Sequence, residues 1–155
     1  MRIYLDHNAT APLRPEVREA MLPFLGPPAN PSSAHREGAG ARSAVETARA
    51  QVAALVGAVP AEIVFTSGAT EANNLALRGL VRPAAGLVTT AIEHASVLET
   101  ARALAAEGAR LTLVRADGEG RVAADDVVAA CAAGPALVSV GLANGEVGSV
   151  APLAA

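Results

Sequence analysis

The chain has 155 residues, enough for one domain of ordinary size, and its 52% hydrophobic and 17% charged residues predict a globular chain with a buried core. A net charge of -3 supplies no basic face for nucleic acid, and the single cysteine, Cys131, excludes an internal disulfide and any CxxC metal or redox motif. All 12 basic residues are arginine, so the chain contains no lysine. Apolar runs are broken by Pro, Gly or charge well short of the ~20 residues that cross a bilayer. Met1 leads into Ile3-Tyr4-Leu5-Asp6 without a secretory h-region. The expectation is a soluble, cytoplasmic chain.

After the apolar opening at Ile3 to Leu5, Pro15 starts a helix expected to reach about Leu25, where Gly26-Pro27-Pro28 stops it. Ala41, Val45, Ala48, Val52 and Leu55 recur at helical spacing, which predicts a helix from Ser33 to about Val56, ended by Gly57. Glu62 to Thr66 has the β-branched and aromatic character of a short strand, followed by a helix over 70–80. The pattern continues with a strand at Leu87–Ile92, a helix at Ser96–Ala106 and a strand at Leu111–Val114. A helix at Asp125–Ala133 and a strand at Leu137–Val140 complete it. Alternating strands and helices predict an α/β fold, with about four core strands in a mostly parallel sheet flanked by helices. From Gly148 to Ala155 the chain reads as a loop leading into another helix, which suggests a truncated domain.

Three polar segments sit at the expected carboxyl ends of strands, where ligands bind in parallel α/β sheets. Ser67-Gly68-Ala69-Thr70 opens a helix, and free N–H groups at a helix N-terminus form an anion site, with Gly68 allowing close approach and Thr70 adding a hydroxyl. Taken alone, the segment reads more readily as a plain N-cap at Thr70 and a turn residue at Gly68. It is neither a P-loop nor GxGxxG. His94 follows the Leu87–Ile92 strand, where its ring could stack on a planar cofactor or carry a proton, or simply cap a helix. Asn144 follows the last strand, as a ligand contact or as a turn asparagine before Gly145. Two loops are also polar: one from Tyr4 to Pro12, and Asn30–His35, where Ser32 or Ser33 is a credible N-cap. Cys131, on an Ala/Val-rich helix, reads as a small core hydrophobe.

In order, the segments YLDHNATAPLRPEV (4–17), NPSSAH (30–35), EIVFTSGATEANNLAL (62–77), EHASVLET (93–100) and VSVGLANGEVGSVAPL (138–153) resemble the N-terminal part of NifS/IscS-type cysteine desulfurases. These belong to the class V aminotransferase group of pyridoxal phosphate (PLP) enzymes. Five collinear segments span nearly the whole chain. The resemblance implies that 1–155 form the N-terminal part of an aspartate-aminotransferase-type large domain (fold type I, a seven-stranded mixed sheet), without its C-terminal part or the small domain. It implies that Ala69 and Thr70 bind the PLP phosphate, that His94 stacks on the ring and is catalytic, and that Asn144 contacts the cofactor. It places Asn8, Ala9 and Thr10 near the substrate, and it implies no metal. It further implies L-cysteine as substrate, L-alanine as product, a sulfur-acceptor or scaffold partner such as an iron–sulfur assembly, and a homodimer. Gly145 stands where the family usually has a second asparagine, and Val147 replaces threonine or isoleucine.

The larger departure is chemical. The family's ring-pairing aspartate, its Schiff-base lysine and its nucleophilic cysteine have no match here. PLP is normally held by a lysine, and desulfuration needs a thiolate. The expectation is that these 155 residues alone are inactive and hold PLP weakly. Alternatives are selenocysteine lyase, another class V enzyme, or a non-catalytic remnant that self-associates or binds a partner. A Rossmann-type nucleotide binder lacks its glycine fingerprint.

Overall fold

A computed structural model describes residues 3–26, 28–82, 85–134 and 136–153. The chain divides into two compact units, Met1–Phe65 and Thr66–Ala155.

The first unit is helical. Helix α1, Pro15–Met21, starts with proline in its first turn, where a missing N–H costs nothing, and with Glu16 facing the positive helix end. A 3-10 turn at Leu22–Phe24 extends it, close to the expected stop. Helix α2, Arg36–Val56, ends at Gly57, whose φ of 70° is the left-handed conformation glycine adopts at little cost. Its cap corrects an expectation. Neither Ser32 nor Ser33 caps it; His35 Nδ1 accepts the Gly38 N–H at 3.3 Å. The preceding turn is instead held from outside, because Arg42 donates from Nε to the Pro31 carbonyl (2.8 Å) and from Nη2 to the Ser33 carbonyl (3.1 Å). Gly38 is buried in this junction, where a Cβ would stand 2.8 Å from the Asn30 carbonyl oxygen.

A second correction concerns Glu62–Thr66. A 3-10 turn occupies Pro60–Glu62, and the following residues run extended with no strand partner among the described residues. Their alternation is satisfied differently. Arg49 of α2 donates to the Ile63 carbonyl and lays its guanidinium over the Phe65 ring, 5.0 Å from the centroid.

The second unit is the α/β part. Helix α3 (Ala69–Leu80) precedes strand β1 (Gly86–Thr90), helix α4 (Ala95–Ala106), strand β2 (Arg110–Val114), helix α5 (Ala124–Cys131) and strand β3 (Ala136–Ser139). The sheet has the order β2-β1-β3 with both pairings parallel, and Leu87 is level with Leu111 and Leu137. Each parallel pairing needs a crossover, which α4 and α5 supply. Three strands form among the described residues, rather than about four, because the 62–66 segment makes no ladder. Residues 148–153 form no helix; Ala143 and Val150 bridge antiparallel and fold the segment after β3 back on itself.

All five residues of β1 are buried. Leu87 packs with Leu77 and Val81 from α3 and its C-terminal end, and with Val97, Ala101 and Leu104 from α4. Successive strand side chains alternate faces, so Val88 and Thr90 occupy the opposite side from Leu87. Cys131 is half-buried at the end of α5. No helix among the described residues is long and apolar enough to cross a membrane.

Leu87→Ala is expected to lower unfolding free energy by about 2–5 kcal/mol, the range for emptying a packed leucine site. Val128→Ala, at a position 70% exposed, should change it by less than about 0.5 kcal/mol. Chemical denaturation of both variants checks the placement of the core, and equal losses would contradict it.

Candidate active site

The site is built where two helices begin side by side. Helices α3 and α4 are cross-linked near both ends. Asn73 Nδ2 donates to Ser96 Oγ at 2.8 Å near their starts, and Arg78 pairs with Glu107 at 3.1 Å near their finishes. The helices therefore run parallel, and their N-termini lie together at the carboxyl edge of the sheet, beyond Thr90 of β1.

At the start of α3, Gly68 rather than Thr70 occupies the N-cap position, and it offers no side chain to the orphan amides. The first intrahelical bond of this end runs from the Ala72 N–H to the Gly68 carbonyl. The N–H groups of Ala69, Thr70 and Glu71 have no acceptor among the described residues, nor does the Thr70 hydroxyl have a partner there. A Cβ placed on Gly68 would meet nothing within 4 Å, so open space lies beside these donors. Gly68 itself is extended and unstrained, and its value lies in leaving that space clear.

The neighbouring hydroxyls are already used. Thr66 Oγ1 donates to the Gly68 carbonyl, while Ser67 donates its N–H (2.7 Å) and its hydroxyl (2.6 Å) to the Glu71 carboxylate. The Ser67 hydroxyl, followed by the Ser67 amide, holds the Glu71 carboxyl below the usual glutamate value. The arrangement turns the Glu71 charge back toward Ser67 and leaves the amides of residues 69–71 as the free positive end of the helix dipole.

His94 is the N-cap of α4. Its Nδ1 accepts the Ser96 N–H at 3.1 Å and lies 2.8 Å from Ser96 Oγ, and the residue is exposed. The loop after β3 is tied to the same turn by two bonds. Asn144 Nδ2 donates to the Ile92 carbonyl (3.0 Å), and the Gly141 N–H donates to Glu93 Oε1 (2.8 Å), which also accepts from Thr90 Oγ1 (2.8 Å). Asn144 Oδ1 accepts the N–H groups of Glu146 and Val147 at 2.9 and 3.0 Å. Its amide thus shapes its own turn while keeping one Nδ2 hydrogen uncommitted.

These links join the elements that carry Ala69, Thr70, His94 and Asn144 at one end of the sheet. Asn8, Ala9 and Thr10 lie in the first unit, in an exposed turn where Tyr4 donates its hydroxyl to the carbonyls of Asp6 (2.8 Å) and Thr10 (3.2 Å). Sequence reasoning passed over Asn73, Glu93 and Ser96. Ser96, two residues after a capping histidine, carried a local signal; Asn73, 23 residues from Ser96, carried none.

The chain belongs to the class V aminotransferase family, whose model matches residues 3–155. It is 47% identical to the putative cysteine desulfurase IscS 1 of Bacillus subtilis (strain 168), over 98% of this chain and 41% of that protein. Among solved structures it is similar to a NifS-like protein (TM-score 0.86, 36% identity, 98% of this chain and 43% of the other). It is also similar to SspA in complex with cysteine (TM-score 0.87, 38% identity, 96% and 44%). The chain thus spans less than half the length of these relatives. Its family is one of PLP-dependent enzymes, and the α/β sheet flanked by helices is part of their fold.

The residues present fit the phosphate end of that cofactor: three amides and one hydroxyl without partners among the described residues, with clear space at a helix N-terminus, suit a dianion. No lysine is available in the 155 residues to anchor it covalently.

A carboxyl titration checks the electrostatics. Glu71 has a lowered folded value, so its contribution to stability is present above the unfolded glutamate value and is lost as pH falls through the folded one. NMR should place the Glu71 midpoint below that of an exposed glutamate, and Ser67→Ala should raise it. A midpoint unmoved by Ser67→Ala would show that the Ser67 hydroxyl does not hold this carboxylate.

Proposed function

We propose that this chain carries the phosphate-binding and ring-contacting part of a PLP-dependent cysteine desulfurase, which takes sulfur from L-cysteine and releases L-alanine. The observation that carries this reading is the set of unpartnered amides at 69–71, coupled through Asn73 and Ser96 to His94, in a chain of this family.

In this reading the amides of Ala69 and Thr70 and the Thr70 hydroxyl hold the phosphate. Their backbone groups are fixed by the helix, so little ordering is needed on binding. His94 lies over the ring face. The uncommitted Nδ2 hydrogen of Asn144 is directed to the cofactor's ring hydroxyl or to the substrate side, while its other bonds keep the 140–149 loop in place. Asn8, Ala9 and Thr10 are assigned to the substrate side. Residues 1–155 are read as the N-terminal part of the large domain. When bound, PLP supplies an electron sink for bond cleavage at the amino acid substrate.

The reaction also needs a lysine and a nucleophilic thiolate. The chain has no lysine, and Cys131, half-buried on α5, is not the nucleophile proposed. These 155 residues by themselves are therefore proposed to hold PLP without turning over cysteine. A cytoplasmic location, a sulfur-accepting protein such as an iron–sulfur assembly scaffold, and a homodimer belong to the same proposal. An apolar hollow of about 360 Å³, lined by Val127, Val128, Val138 and Val140 among others, favours association over an isolated monomer.

The protein at its full native length is expected to bind PLP, seen as visible absorbance, and to release alanine from L-cysteine. In the 155 residues alone, Thr70→Ala combined with His94→Ala should abolish the weak, non-covalent PLP binding; unchanged affinity would remove the site assignment. Turnover confined to L-selenocysteine would replace the reading with a selenocysteine lyase. Light scattering after size exclusion tests the association, and a clean monomer would count against it.

A further inference from the structure

The cap of α4 bears on which nitrogen of His94 carries a proton. A peptide N–H only donates, so the Ser96 N–H, 3.1 Å from His94 Nδ1, requires a lone pair there. Ser96 Oγ lies 2.8 Å from the same nitrogen and accepts from Asn73 Nδ2 at 2.8 Å. With a lone pair on Nδ1, the donor in the contact to Ser96 Oγ is the Ser96 hydroxyl, and Asn73 fills one of that oxygen's own acceptor sites and so positions it. Ser96 is buried, 8% exposed, so water competes poorly for that proton. Both donors converge on one ring nitrogen.

We propose that Asn73 and Ser96 are positioning residues that lock His94 as the neutral tautomer with Nδ1 bare and the proton on Nε2. His94 then offers a fixed N–H donor on its open side and does not accept a proton at Nε2 while the cap is intact. This deepens the reading above and rests on it for the claim that the ring meets PLP. The tautomer itself depends only on the hydrogen bonds within this unit. Placing a proton on Nδ1 would require the Ser96 N–H bond to break and the Ser96 hydroxyl to turn from donor to acceptor, which separates a ring-holding role from a proton-shuttling one.

The test is a long-range proton–nitrogen correlation on the full-length protein with nitrogen-15-labelled histidine, recorded before PLP is added. His94→Ala assigns the signals. Wild-type His94 should show a pyridine-type Nδ1 and a pyrrole-type Nε2. Ser96→Ala, which keeps the backbone donor, and Asn73→Ala should each shift the tautomer ratio toward balance by roughly fivefold, the worth of one modest hydrogen bond. Ser96→Thr, which restores a hydroxyl, should return it. A protonated Nδ1 in the wild type would overturn the proposal outright. An unchanged ratio in Ser96→Ala would leave the backbone cap alone responsible and would also overturn it. PLP is then titrated into the same sample. Failure to bind would sink the functional reading while leaving the tautomer result standing, and binding with the wrong tautomer would do the reverse.

Discussion

Complete burial of β1 is the constraint from which the site follows. A five-residue strand with neither face nor edge open to water must satisfy its backbone through β2 and β3 and its side chains through the covering helices. Because both pairings are parallel, the chain returns to the same edge after each strand. The segments after β1 and β3, and the start of α4, accordingly gather at one end of the sheet. The last ladder position hands over directly to the turn, since the Ala91 N–H donates to the Val114 carbonyl at 2.8 Å.

At that end the turns are fastened by few atoms. Glu93 Oε1 accepts from both Thr90 and Gly141, which joins the end of β1 to the loop after β3. A Cβ on Gly141 would come within 3.0 Å of the Glu93 carboxylate, so glycine there permits the close approach. Asn144 adds a second tie through the Ile92 carbonyl. His94 is thereby held on a turn braced from two sides. Its orientation reflects sheet geometry as much as the identity of its own neighbours.

The strands and the alternation of elements were legible because their apolar runs are bounded by turn residues, although only β1 is buried on both faces while β2 and β3 keep exposed positions such as Leu113 and Val138. Glu62–Thr66 misled for a related reason. Ile63, Val64 and Phe65 report an extended chain, but composition cannot say whether a ladder partner or an arginine such as Arg49 will satisfy it. Caps failed locally. Ser33 and Thr70 are common cap residues, yet His35 and Gly68 take those positions, because helix starts depend on where the preceding turn is pinned. His94 and Asn144 could be singled out as polar residues at strand ends. Asn73 could not, since its meaning depends on a contact between two helices that only the fold creates. Asn144 proved to serve its turn without being exhausted by it, so the two roles weighed for it are compatible.

The absence of lysine and the proposed phosphate cradle concern separate parts of cofactor recognition. A charge-assisted hydrogen bond contributes about 1.5–3 kcal/mol, whereas association costs roughly 4–15 kcal/mol in lost freedom. On the proposed reading, three amides and one hydroxyl at the α3 N-terminus therefore orient a phosphate but leave little surplus for tight retention. A covalent link changes that balance by making retention intramolecular, and no side chain among these 155 residues offers an amine for it. On the proposed reading, this part of the protein sets where the phosphate and ring go, through backbone groups that the helix fixes in advance. Holding the cofactor permanently is a different task, and it falls to chemistry that these residues do not contain.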